Sequence, residues 1–218
     1  MQLNHEGPRR TCDDDGFTLI ELVMSIAILG IASAALLGVV FQYAKTTSDT
    51  SARLNESTDE QFVSTYWQND VSSLGRRSLT ISSGTFSTDQ SVFVGSAAPG
   101  GCGSAAGSVV VAFAWNEFEV GTTAPTDPWT SQPQQVAYVS VPNGNRFLLQ
   151  RVRCKNGVSG SPLTVAHNLT GPPTISCDTS CGSTTLPNRV SMTFTVKDAA
   201  NAKSQGYTTT VSADRRQG

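Results

Sequence analysis

The sequence predicts an α+β protein, one long N-terminal helix followed by an antiparallel β-sheet domain. Three observations carry this. Twenty residues, Leu22 to Phe41, run without a charge. A polar stretch then keeps a helical beat as far as Leu74, and beyond Leu79 the hydrophobic period changes from 3.6 to 2. The composition agrees: 15% of the 218 residues are charged, and Ser, Thr and Gly are plentiful, as in secreted β-rich domains.

At 1.5 Å per residue the uncharged run spans about 30 Å, the thickness of a bilayer core. It begins abruptly. A polar segment ends at Gly16, and Phe17 opens the apolar block Gly16–Phe41. Glu21 sits just inside it, at a cost of about 2.5–3.5 kcal/mol for a central acid and less near an end. An acid kept at that cost calls for a partner, and none is nearby in the sequence. Within the run Gly30, Ala34 and Gly38 recur every fourth residue. That stripe lets a second helix approach closely, or reflects only the tolerance of membrane helices for Gly. Gly30 is also a candidate point of local melting.

From Gln42 to about residue 78 the sequence predicts an amphipathic helix. Phe62, Val63, Tyr66, Trp67, Val71 and Leu74 mark one apolar face, read as core packing. Thr46–Ser51 is a poor helix former and a place for the rod to bend. Gly75, with Arg76 and Arg77, is the expected stop.

Residues 79–218 are expected to form the β-rich domain. Ser91–Val94 is a short strand, and Val109–Trp115 is apolar enough to be central. Val136–Val141 and Arg146–Cys154 flank Asn143-Gly144, a strong hairpin signal. Along the second arm Arg151 and Arg153 alternate with Val152 and Cys154, so the arginines are expected to face water. Val190–Val196 alternates cleanly, and Tyr207–Ala213 is its weaker partner. The connections Gly95–Gly107, Gly121–Gln135 (with Pro125, Pro128 and Pro133) and Lys155–Asn188 are long, as functional or cross-linked loops are.

Gly16-Phe17-Thr18-Leu19-Ile20-Glu21, followed by an uncharged span, resembles the processing motif of type IV prepilins and pseudopilins. The resemblance implies that residues 1–16 are a cytoplasmic leader and 17–41 a transmembrane, later filament-core, helix. It implies cleavage between Gly16 and Phe17 by a prepilin peptidase and N-methylation of Phe17. Glu21 would then pair with the terminal amine of a neighbouring subunit, so that neither charge is buried alone. The implied partners are other pilin or pseudopilin subunits, an inner-membrane assembly platform, and membrane lipid before assembly. The C-terminal domain would lie outside the cytoplasm. The hairpin with arginines on its second strand, then two late strands, resembles the J-type minor pseudopilins. A secretory signal cut near Ala32-Ser33-Ala34 would put Glu21 inside its apolar region, which such signals avoid. A plain unprocessed anchor is the other reading.

Cys12 leaves with the leader. Cys102, Cys154, Cys177 and Cys181 remain, and four cysteines allow three pairings. Their place in or beside long loops favours disulfides and an oxidising compartment. A zinc site fits the Cys177-x3-Cys181 spacing poorly. The leader holds two of the 15 basic and four of the 17 acidic side chains, so the mature chain is balanced and its charge gives no case for nucleic-acid binding. No catalytic, metal or cofactor motif is present. His167 reads as a surface loop residue, and Asp178 and Asp198 lack a loop of oxygen donors for calcium. The Asn55 and Asn168 sequons match by chance. The sequence therefore points to an assembly subunit, a minor pilin or pseudopilin of a pilus, type II secretion or DNA-uptake filament, rather than an enzyme. A membrane-tethered binding domain that never polymerises, with the long loops as its contact surface, is the alternative.

Overall fold

A computed structural model describes residues 16–80, 84–120, 129–197 and 206–216. Most of the expected leader, Pro125, Pro128 and Asp198 fall outside these residues. The chain divides into two compact units, Met1–Ser48 and Asp49–Gly218. Helix α1, Leu19–Ser72, supplies residues to both. In the first unit every described residue, from Gly16 to Ser48, is exposed. The segment Thr46–Ser51 is helical, and the Thr46 hydroxyl donates back to the Gln42 carbonyl at 3.0 Å. The hydroxyl is thereby satisfied within the helix.

The second unit is a β-domain whose described strands all pair antiparallel, and against which the rest of α1 packs. Its main sheet runs in the order β11 (Tyr207–Asp214), β10 (Arg189–Val196), β8 (Leu163–Leu169), β6 (Arg146–Lys155), β5 (Trp129–Asn143), β4 (Ser108–Val120), β3 (Val92–Val94). Two short strands hang on it: β7 (Val158–Ser159) beside β6 and β9 (Thr174–Cys177) beside β10. A separate hairpin joins β1 (Arg77–Thr80) to β2 (Thr85–Thr88).

The centre of the sheet is buried on both faces. On one side Val63, Trp67 and Val71 of α1, with Leu74 just beyond its end, pack on Val111, Phe113, Tyr138, Leu149 and Met192. Trp67 meets Phe113 and Tyr138 edge-on, with ring centres 5.1 and 5.2 Å apart, the geometry aromatic quadrupoles prefer. Phe62, expected on this face, is half exposed. On the other side Ala112, Ala137, Val139 and Val152 are covered by Ala98, Cys102 and Ala106 of the 95–107 loop. Its small residues allow this close approach. At Gly103 (φ +80°) a Cβ would stand 2.6 Å from that of Ala137, so the position is closed to any side chain.

Several expectations need correction. Helix α1 ends at Ser72, so residues 73–78, which the sequence suggested were helical, form its exit and the start of β1. Ser73 and Leu74 donate to the carbonyls three residues back, and Gly75 bridges to Trp115. Arg77 already belongs to β1, so the two arginines do not lie in the last helical turn. The β5–β6 turn is Gly144-Asn145, because Asn143 pairs with Arg146. Gly144 takes the positive φ (59°) as the first turn residue, the type II′ pattern. The presumed 155–188 loop contains β7, β8 and β9, and β8 is a full member of the sheet. His167 therefore lies on a strand. The connection expected over 121–135 is shorter, since β5 begins at Trp129 and includes Pro133.

Candidate functional site

The processing motif straddles the start of α1. Gly16, Phe17 and Thr18 precede the helix, and Gly16 and Phe17 are exposed. A Cβ built on Gly16 meets nothing within 4 Å among the described residues. Thr18 caps the helix: its carbonyl accepts the N–H groups of Glu21 and Leu22, at 3.0 and 3.2 Å. Its hydroxyl lies 3.4 Å from the Glu21 nitrogen. Thr18-Leu19-Ile20-Glu21 is thus the T-x-x-E pattern of a capping box. Glu21 lies in the first turn, where the helix dipole favours an acid. Glu21 thus stands four residues after Phe17, on the first turn of the helix.

Behind it, Leu19–Ser51 is long and apolar enough to cross a membrane. Its large side chains are uncovered on every side: Leu19 is 81%, Ile31 74% and Phe41 74% exposed. Gly30, Ala34 and Gly38 are exposed too, with no neighbour at either glycine. Such a surface has to meet lipid or other helices.

A second cluster ties α1 to the sheet, and the sequence reading missed it. Asp70 accepts two hydrogen bonds from the Arg151 guanidinium, Nη2 to Oδ1 at 2.6 Å and Nε to Oδ2 at 2.8 Å. The Tyr138 hydroxyl donates to the same carboxylate at 2.7 Å. Arg151 also lies over the Tyr66 ring, 5.1 Å from its centre. The expectation that Arg151 faces water is overturned: its side chain is 14% exposed against 4% for Asp70. Arg153 does face water, in a loose 4.0 Å pair with Glu117. Burial, reinforced by the Asp70 charge, holds the Tyr138 phenol well above its ordinary pKa. Further along α1, Asp59 accepts the His167 backbone N–H at 2.8 Å, and Glu60 accepts the Thr209 hydroxyl at 2.7 Å. The Trp67 indole donates to the Val190 carbonyl at 3.0 Å.

The four remaining cysteines pair as Cys102–Cys154 and Cys177–Cys181. The first staples the 95–107 loop to β6, and the second closes a five-residue loop after β9. Among the described residues no cluster of three or more acids, histidines or cysteines is placed to hold a metal. Asp178 instead accepts the Asn188 N–H at 3.0 Å.

Residues 13–37 match the family model of the prokaryotic N-terminal methylation motif. That match supports a type IV pilin-like family, and it spans the Asp13–Gly16 stretch, the Gly16–Phe17 junction, Glu21 and most of the apolar run. No curated protein and no solved structure matches the chain.

Proposed function

We propose that this chain is a minor pilin or pseudopilin, a structural rather than enzymatic subunit that enters or primes a type IV pilus, type II secretion or DNA-uptake filament. A prepilin peptidase cuts Gly16–Phe17 and Phe17 is N-methylated. Before assembly Phe17–Phe41 lies in the cell membrane, with the N-terminus cytoplasmic and the disulfide-bonded domain outside. An assembly platform then moves the subunit into the filament. The observation that carries this reading is the helix itself. Every residue from Gly16 to Ser48 is exposed, and an acid stands in its first turn. In a permanent lipid anchor the helix dipole would offset only about 0.3–1 kcal/mol of that acid's cost, whereas a bundle of subunits supplies a cation for it, each neighbour's freed amine.

Intact-mass measurement of the protein from its native host tests the maturation. The expected species begins at Phe17 and carries one extra methyl group. A chain starting at Ala35, or one retaining residues 1–16, contradicts it. Gly16→Trp should abolish processing while leaving the β-domain unchanged, since a Cβ at this exposed position meets nothing among the described residues.

A further inference from the structure

One end of the main sheet carries polar groups that the fold leaves unused. Gln134 on β5 is 1% exposed, and neither its Oε1 nor its Nε2 has a partner. Gln135 beside it donates through Nε2 to the Pro99 carbonyl at 2.5 Å, but its Oε1 is likewise buried and unpartnered. Each such group costs about 1–3 kcal/mol, and each therefore calls for a partner or another explanation. Gln134 lines two hollows at once. One is a cavity of about 280 Å³ walled also by Arg76, Trp115 and Gln135. The other is an open groove of about 490 Å³ bordered by Glu117, Arg153 and Lys155.

We propose that these two hollows form one binding site for an acidic oligosaccharide, with a sugar hydroxyl group against the Gln134 carboxamide. Charge supplies the first argument. The two linings hold three cations against one acid, and neither Arg76 nor Lys155 has an ion-pair partner among the described residues. Arg153 reaches Glu117 only at 4.0 Å, with both side chains about half exposed, a pair of little worth. Hydrogen-bond chemistry supplies the second. The unused atoms are two acceptors and one donor, so the ligand has to donate as well as accept. Sugar hydroxyls do both, whereas carboxylates and phosphodiesters only accept. Trp115 adds an apolar wall suited to the C–H face of a sugar ring. In the present arrangement the Gln134 carboxamide is closed off from water. Its terminal torsion is broad, and turning either end of the carboxamide toward a ligand breaks no hydrogen bond among the described residues.

The test uses the full chain in detergent micelles, titrated with galacturonic acid tetramer while the 15N-labelled Trp115 indole signal is followed. The signal should shift saturably at concentrations up to about 10 mM, the range of weak specific sites. Gln134→Leu should weaken binding roughly tenfold while folding as well as the parent or better, because it removes two unsatisfied atoms. Arg76→Gln, at a partly exposed position, should also weaken it and provides a second variant. The neutral galactose tetramer should bind less tightly. Absence of a saturable shift overturns the proposal, as does unchanged binding by Gln134→Leu. Equal or tighter binding of tetraglutamate, or of a short single-stranded oligonucleotide, overturns the saccharide assignment.

Discussion

Asp70 shows how much one residue can hold. Its buried carboxylate satisfies a guanidinium and a phenol that come from two different strands. Asp70→Ala should therefore lower stability by about 3–5 kcal/mol, because a half-buried cation and a buried hydroxyl lose their partner together. Arg153→Ala, which breaks only the exposed 4.0 Å pair, should stay within about 0.5 kcal/mol. Urea unfolding of the two variants checks the contrast, and equal effects would refute it. Tyr138 adds a pH signature. Burial and the Asp70 charge raise its folded pKa, so the folded state keeps a proton that the unfolded chain releases near pH 10. Its contribution is complete below that pH and is lost as pH climbs through the raised folded value. Tyr138→Phe should flatten the alkaline decline in stability, and an unchanged profile in the variant would contradict this. The sequence hid the cluster for a definite reason. Arg151 and Arg153 alternate with Val152 and Cys154, which signals a polar face only when one side of a sheet is wet. Here both sides are covered at the centre, α1 reaches Arg151, and only Arg153 lies beyond it.

At the scale of elements, long regular patterns were legible and broken ones were not. The apolar run, the face carrying Val63, Trp67, Val71 and Leu74, the central strand β4 and the β10–β11 pair all follow from periodicity. The β5–β6 hairpin was legible too, one residue out at its turn. Such a hairpin is common to antiparallel sheets and so carries no subclass. Strand β8 escaped because its pairing with β6 slips twice, between Phe147 and Leu149 and again between Leu149 and Gln150. Val165 and Ala166 are consequently both buried, and the period of 2 disappears from the sequence. The 95–107 loop looked like a linker by its Gly, Ala and Ser content. Those residues are small because the loop lies on the back of the sheet, where Gly103 touches Ala137. The cysteines left three pairings open, and the observed ones differ greatly in span. Cys102–Cys154 joins residues 52 apart and Cys177–Cys181 residues 4 apart. By chain entropy they contribute about 4 and about 2 kcal/mol. Replacing both cysteines of the first pair by Ser should lower the melting temperature clearly more than the same change in the second. The reverse order would show that the 95–107 loop holds without its staple.

For the whole molecule, two surfaces make opposite demands. The unit from Asp49 onward buries its own core of aromatic and branched side chains, whereas Gly16–Ser48 buries nothing. A chain built this way is complete only in a membrane or among copies and relatives of itself. The motif at residues 13–37 favours the second destination, reached through the first. Glu21 decides between them. Thr18 and the helix dipole give its carboxylate a local role worth about 0.3–1 kcal/mol, so Glu21→Leu should leave processing and folding intact and ease membrane insertion. In a filament the same change removes the partner of each incoming amine, at a penalty of several kcal/mol. The direct measurement is the amount of this chain in filaments from a native-host strain carrying only Glu21→Leu, relative to its amount in the membrane. The account predicts a normal membrane level and loss from the filaments. Normal incorporation of the variant, or absence of the unaltered chain from every filament, would contradict it.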